Sequence, residues 1–365
     1  MQMYHKTKTR VIAFYLPQFH PVKDNDEWWG KGFTEWTNVA KARPLFCGHY
    51  QPRIPADLGF YDLRLPEVRE AQAELAREAG VEGFCYWHYW LGGGKQLLEY
   101  PLQEVVRTKK PDFPFCLGWA NHSWEKKLWS NTISPLSSEM LIEQTYPGPE
   151  DIDLHFYTML PAFQDKRYMR IDERLIFLIY EPKMIPDVEQ FIARWQFLAK
   201  KEGLKGFYFI GQCKRKEEMT APWTKFFDAL NYDCIYYFFH QTRLMKLIAY
   251  LTRRPIKTKY KTILKNYDFS YLAPQVYPTV YPNWDLTPRR GYVGSLFTDS
   301  TPELFKQHCR QVLDATHPNG EGDKVVFLKS WNEWAEGNYM EPDLKFGKGY
   351  INALREILLE NDKEN

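Results

Sequence analysis

The segment KVVFLKSWNEWAEGNYMEPD, residues 324–343, starts as a strand and then changes character. Val325, Val326, Phe327 and Leu328 form an unbroken apolar run, as expected of a strand buried on both faces of a parallel sheet. Beyond Lys329 and Ser330 the run gives way to Glu333 and Glu336, set among Trp331, Trp334 and Tyr339 and closed by Gly337. Ligand-facing residues sit in just this way in sheets whose sites lie beyond the C-terminal strand ends.

Working outward, seven further β-rich runs precede this one, at about 11–17, 81–89, 114–120, 174–180, 206–212, 231–238 and 274–280, and the segment itself supplies the eighth at 324–330. Helical patterns fall between most of them, clearest at 66–80, 151–165, 187–203 and 301–316, and Gly80 and Gly203 stand where helix C-caps want glycine. Eight strands with helical crossovers predict an α/β fold, a (β/α)8 TIM barrel formed as a single domain over residues 1–365. An open doubly wound sheet is the rival. It would place a glycine-rich turn after the first strand, whereas here that strand runs into LPQFHP, and neither GxGxxG nor GxxxxGK[ST] occurs.

Composition bounds the function. The 365 residues carry a formal net charge of +2, which offers no field for nucleic acid. Aromatic residues make up 17%, many in polar surroundings, and flat rings stack on sugar faces or bases as readily as they fill a large core. The six cysteines lie far apart without a CxxC pair and read as buried free thiols. Without a secretory h-region or a long apolar run, the expected location is cytoplasmic.

Aromatic and ionisable residues gather at the predicted C-terminal strand ends. They include Tyr15, Gln18 and His20 after the first strand, Tyr86 and His88 at the second, and Trp119, Asn121 and Trp124 at the third. Trp284 and Asp285 follow the seventh, and Asn332 joins the glutamates after the eighth; with Glu35 and Trp36 from the first loop, these are the candidate sugar-binding residues. Cleavage of a glycosidic bond normally uses two carboxyl groups, and Glu333 and Glu336 qualify as the catalytic pair by type and place. The tryptophans beside them would lower local polarity and hold one carboxyl protonated near neutral pH.

The loop WNEWAEGNYMEPD resembles that of glycoside hydrolase family 99, the endo-α-mannosidases, and of the WbsX group of GH99-like proteins found in polysaccharide gene clusters. Further WbsX-like stretches are AFYLPQFHP (13–21), WWGKGFTEWTNV (28–39), HYQPRIPADLGFYDL (49–63), GFCYWHYW (83–90), LGWANHSW (117–124) and YPNWDLTPR (281–289). The sequence departs from the group at Asn121-His122, where WANE is usual, and at Tyr180-Glu181, where YRP is common. The resemblance implies a (β/α)8 barrel with a site containing both glutamates; an oligosaccharide or polysaccharide is the expected substrate, and no organic cofactor is indicated. The resemblance also makes Glu336 the general acid and later base, and gives Glu333 the deprotonation of the sugar's own 2-hydroxyl, with retention through a 1,2-anhydro sugar.

Other readings stay open at this level. The WbsX group is often labelled glycosyltransferase of O-antigen or lipopolysaccharide biosynthesis, and a barrel that binds carbohydrate without turning it over is a further alternative. Asp24-Asn25-Asp26 and Asp151-Ile152-Asp153 match the DxD metal string of transferases, and His20, His88 and His122 would suit zinc if they converged. Residues 241–270 form a basic insertion with eight Lys or Arg and one acid. Leu244, Leu247, Ile248 and Leu251 fall on one helical face there, either packed inward on the barrel or resting on an anionic membrane or a lipid-linked glycan.

Overall fold

The computed structural model describes residues 9–126, 139–239, 242–270, 272–273, 275–316 and 324–364. Eight parallel strands close on themselves: β1 (Thr9–Tyr15), β2 (Gly83–Trp90), β3 (Phe115–Trp119), β4 (Arg174–Ile179), β5 (Phe207–Cys213), β6 (Ala229–Tyr232), β7 (Val276–Val280) and β8 (Lys324–Leu328). Each pairs with its neighbours in sequence, and β8 returns to β1 through Thr9↔Lys324 to Ala13↔Leu328. Followed from pair to pair, the register comes back to β1 displaced by eight residues, the shear of a (β/α)8 barrel.

Helices Pro66–Ala79, Pro149–Phe163, Val188–Lys201 and Pro302–Ala315 lie where the periodicity predicts. Their starts are fixed locally: Asp187 accepts from Gln190 N at 2.8 Å and Thr301 from Leu304 N at 3.3 Å. Gly80 ends the first helix at φ +84°, where its N–H returns to the Ala76 and Arg77 carbonyls. The core lies between strands and helices, where Trp195 packs on Phe177 at 4.7 Å and on Phe207 at 5.2 Å.

Three expectations need correction. The sixth strand stops at Tyr232, because Asp233 turns the chain by accepting from Ile235 N (3.3 Å), and Ile235–Phe238 form a helical turn. Cys47 is exposed while the other five free thiols are buried. The insertion does form a helix, Arg243–Thr252, capped by Thr242, but its apolar stripe is not packed inward: Leu244 is 64% exposed, Ile248 50% and Leu251 70%. Gln241 lies outside the described residues. No helix among the described residues is long and apolar enough to cross a membrane.

Candidate active site

Strand parity decides which predicted residues reach the barrel mouth, since successive side chains face opposite sides. Trp87 stacks on Phe14 at 4.6 Å and reaches across to Tyr180 beyond β4, so Phe14, Trp87 and Phe327 point inward. The alternate positions point to the helices. Tyr15 donates to Gln72 of the helix Pro66–Ala79 (2.7 Å), His88 shares a hydrogen bond with His155 of the helix Pro149–Phe163 (2.8 Å), and Trp119 donates to the Trp90 carbonyl (2.9 Å). Tyr86 packs edge-on to Phe115 beside Tyr15. These four predicted sugar contacts are therefore parts of the outer core. Burial alone pushes the His88 imidazole down to about 3, which suits its apolar setting.

Glu333, Glu336 and Glu35 do come together, around Arg289. The Arg289 guanidinium bonds Glu336 and lies 3.1 Å from Glu35, which is buried. Burial raises the Glu35 carboxyl against the pull of Arg289. Glu333 is 8% exposed and accepts from Ser330 Oγ at 3.1 Å. Burial first, and the negative charge of Glu336 second, push its carboxyl up to about 8. Glu333 thus favours its protonated form near neutral pH, while Glu336 makes the ion pair with Arg289.

The loop bearing the pair is braced from below. Asn332 is fully buried; it accepts from Leu16 N (2.8 Å) and donates to Leu16 O (3.0 Å), tying the end of β8 to the end of β1. Its amide is engaged by main chain, which braces the loop carrying Glu333. Asp285 works likewise. It takes hydrogen bonds from Gln51 (2.7 Å) and Thr287 (2.6 Å), faces His49 at 2.9 Å, and its N–H donates to the Glu336 carbonyl (2.5 Å). Gly337 follows at φ +58°, where a Cβ would lie 2.6 Å from that of Asp285, so both space and backbone demand glycine. Glu341, which accepts from Trp334 (2.6 Å), Gln72 (2.6 Å) and Tyr61 (3.0 Å), completes the underside, and burial raises it to about 7.

Among the remaining candidates, Trp124 is half-buried against Tyr89 (5.1 Å), and Tyr89 lies near Glu333, so this pair lines the mouth. Trp284 also faces it, 5.4 Å beneath the Lys329 ammonium. Trp36 packs under the loop on Trp334 and donates to Tyr61 O, while Asn121 clamps the main chain of Glu181. Gln18 is buried at 3.5 Å from Asn25, and His20 is buried with both ring nitrogens unpartnered among the described residues, lowered by burial to about 4.

Sequence reasoning did not single out Arg289 or Lys329, and it placed Tyr89 and Tyr180 at the strand-end rim without making them candidates for the sugar. Lys329 ion-pairs with buried Asp233 at 2.5 Å; burial opposes its charge, but Asp233, Tyr236, Tyr180 and Glu333 together raise the ammonium well above its ordinary value. Its signal was present: a lysine two residues after inward-facing Phe327 must emerge inside the barrel. Both DxD strings are structurally engaged, Asp24 by Lys95, Asp26 by Gly32 N, Asp151 by Trp90 and Asp153 by Arg194. His88, turned outward, cannot converge with His20 and His122, and no metal-type cluster occurs among the described residues.

The family model described as Glycosyltransferase WbsX matches residues 11–354. The chain is 34% identical over 366 residues to "Uncharacterized protein WxcX" of Xanthomonas campestris pv. campestris strain B100, covering 95% of this chain and 49% of that protein. It thus spans about half the length of the curated relatives it matches. Among solved structures, the GH99 endo-alpha-mannosidase from Bacteroides thetaiotaomicron aligns at TM-score 0.57 and 15% identity, covering 97% of each chain. A "Glycoside hydrolase-like protein" aligns at TM-score 0.57 and 15% identity over 98% of this chain and 96% of that one. At such identities the likeness is one of fold.

Proposed function

Because the chain belongs to the Glycosyltransferase WbsX family, a carbohydrate-active family by that description, we propose that it acts on a glycosidic bond of a surface polysaccharide or its precursor. Glu333 and Glu336 are its acid–base pair. The observation that carries this reading is the pair itself: two carboxyls at the mouth of the barrel, one raised to about 8 and one held by Arg289.

In the retaining route that the resemblance implies, Glu333 takes the proton of the sugar's 2-hydroxyl, whose oxygen attacks C1. The glycosidic oxygen leaves with a proton from Glu336. Water or another sugar's hydroxyl then opens the 1,2-anhydro sugar at C1, Glu336 takes that proton, and Glu333 returns its own to O2. A base must be strong to draw a proton from a hydroxyl, and the raised affinity of Glu333 suits that part. In the arrangement described above Glu333 carries the proton. A 2-hydroxyl donating to ionised Glu333 favours the arrangement with that proton on Glu336. For any glycan turned over, product of retained configuration is expected by NMR and the 2-O-methyl analogue is expected to be inert. Inverted product, or turnover of the analogue, would refute this route.

With water as acceptor the enzyme is a glycoside hydrolase; with a sugar acceptor it is a transferase using the same two glutamates. We further propose peripheral contact with an anionic membrane through the helix Arg243–Thr252. Its exposed Leu244, Ile248 and Leu251 and the basic Arg253, Arg254, Lys257 and Lys259 that follow support this. Arg253→Gln/Arg254→Gln should weaken sedimentation with anionic liposomes; unchanged binding, or none by the wild type, ends the idea.

A further inference from the structure

Beside the glutamates, on the rim of β5 to β7, opens a cleft of about 750 Å³. Five cations line it, Lys214, Arg215, Lys216, Lys246 and Arg290, against one acid, Glu217. Lys214 ion-pairs with Glu181 and Lys216 with Asp268, whereas among the described residues the guanidinium groups of Arg215 and Arg290 have no carboxylate partner. The lining also carries three aromatics, Tyr236, Phe239 and Trp284. Trp284 adds a buried indole N–H that has no acceptor among the described residues.

The cleft joins the active site through single elements. Arg289 and Arg290 are consecutive on the short helix Thr287–Arg290, and the first serves the glutamates while the second lines the cleft. Tyr236, one of the three aromatics, lies close enough to Glu336 to feel its charge. Lys214 stands 3.5 Å over the ring of Tyr180, the residue that meets Trp87 inside the barrel. A glycan held at Glu333 and Glu336 would therefore extend a neighbouring group into the basic cleft.

We infer that this cleft binds a phosphoryl group of the substrate, the diphosphate of an activated sugar. One carboxylate of an acidic sugar would engage a single fork, whereas the cleft offers two guanidinium groups, Arg215 and Arg290, without a carboxylate on either among the described residues. A diphosphate presents oxygens in several directions, and guanidinium forks bind such groups in a bidentate way. The aromatic lining suits the flat or apolar group at the far end of a diphosphate. Nucleotide-linked and lipid-linked sugars share that diphosphate. The inference takes its catalytic meaning from the glycosidic reading above, but its test needs no turnover.

The test is calorimetric titration of the full chain with inorganic pyrophosphate at low and moderate salt. Binding that weakens with salt is expected, with a Kd raised about tenfold in Arg290→Gln and again in Arg215→Gln/Arg290→Gln. Arg215 is exposed and Arg290 half-buried, and thermal unfolding checks that the variants stay folded. Glu336→Gln should bind pyrophosphate as the wild type does, which separates the fate of the cleft from that of the catalytic proposal. UDP and a short isoprenyl diphosphate form the source arms: tighter binding of either over pyrophosphate supports the inference and names the attached group. No pyrophosphate binding, binding indifferent to both arginines, or preference for glucuronate would overturn it.

Discussion

Replacing Glu333 by glutamine removes a buried ionisable group while keeping its shape and its acceptor for Ser330. The folded carboxyl sits at about 8 against 4.5 for the ordinary side chain. Between these values the folded protein binds more protons than the unfolded chain, so stability falls as pH rises. The protonated group's contribution is fully present below pH 4.5 and is lost as pH climbs through about 8. A shift of that size has a ceiling of roughly 5 kcal/mol, and coupling to Glu336, Lys329 and Arg289 reduces the expected loss to about 2–4 kcal/mol. Glutamine mimics the protonated form throughout. Urea unfolding followed by tryptophan fluorescence should therefore give near-equal stabilities for wild type and Glu333→Gln at pH 5, with the variant more stable by about 2–4 kcal/mol at pH 8.5. Glu341, raised to about 7, titrates in both proteins and cancels in the comparison. A difference that does not change with pH would refute the buried, proton-holding Glu333.

Other consequences follow from the same geometry. Turnover by the wild type should decline above pH about 8 as Glu333 loses the proton that the substrate complex passes to Glu336, which a kcat profile measures. His88→Ala should cost about 1–3 kcal/mol of stability by stranding His155, yet leave KM unchanged, because the ring faces a helix. Trp124→Ala should instead raise KM several-fold at little cost in stability, since it removes about 1 kcal/mol of stacking at the mouth. Asp285→Asn should destabilise by about 1–3 kcal/mol and lower kcat together, as the His49, Gln51 and Thr287 bonds that hold the Glu336 main chain rearrange.

The barrel was legible because each strand is an apolar run bounded by turn chemistry, and the eight runs needed no long-range information. Asp233 cut the sixth run short through a side-chain turn that apolar pattern does not encode. Glu333, Glu336 and Glu35 were legible as carboxylates at a strand end and in a loop that returns to it. The errors at Tyr15, Tyr86, His88 and Trp119 share one cause: aromatic richness was read without strand parity, which Phe14 and Trp87 would have set. Asn332 and Asp285 look like ligand residues in sequence, since only the fold reveals that Leu16, His49 and Gln51 already engage them. Arg289 closes the quoted stretch YPNWDLTPR, but its partners stand 254 and 47 residues away, beyond any local pattern.

The most direct test of the two-glutamate account is mass spectrometry of products after incubation with α-linked oligosaccharides, surface glycans and diphosphate-activated sugars. Wild type, Glu333→Gln and Glu336→Gln would be compared side by side. The account predicts a mass change with at least one glycan in the wild type, through cleavage or through donor-dependent extension, and a rate about a hundredfold or more lower in each variant. Equal turnover by the variants would contradict it, and glycan binding with no mass change in any mixture would make the barrel a carbohydrate-binding protein instead.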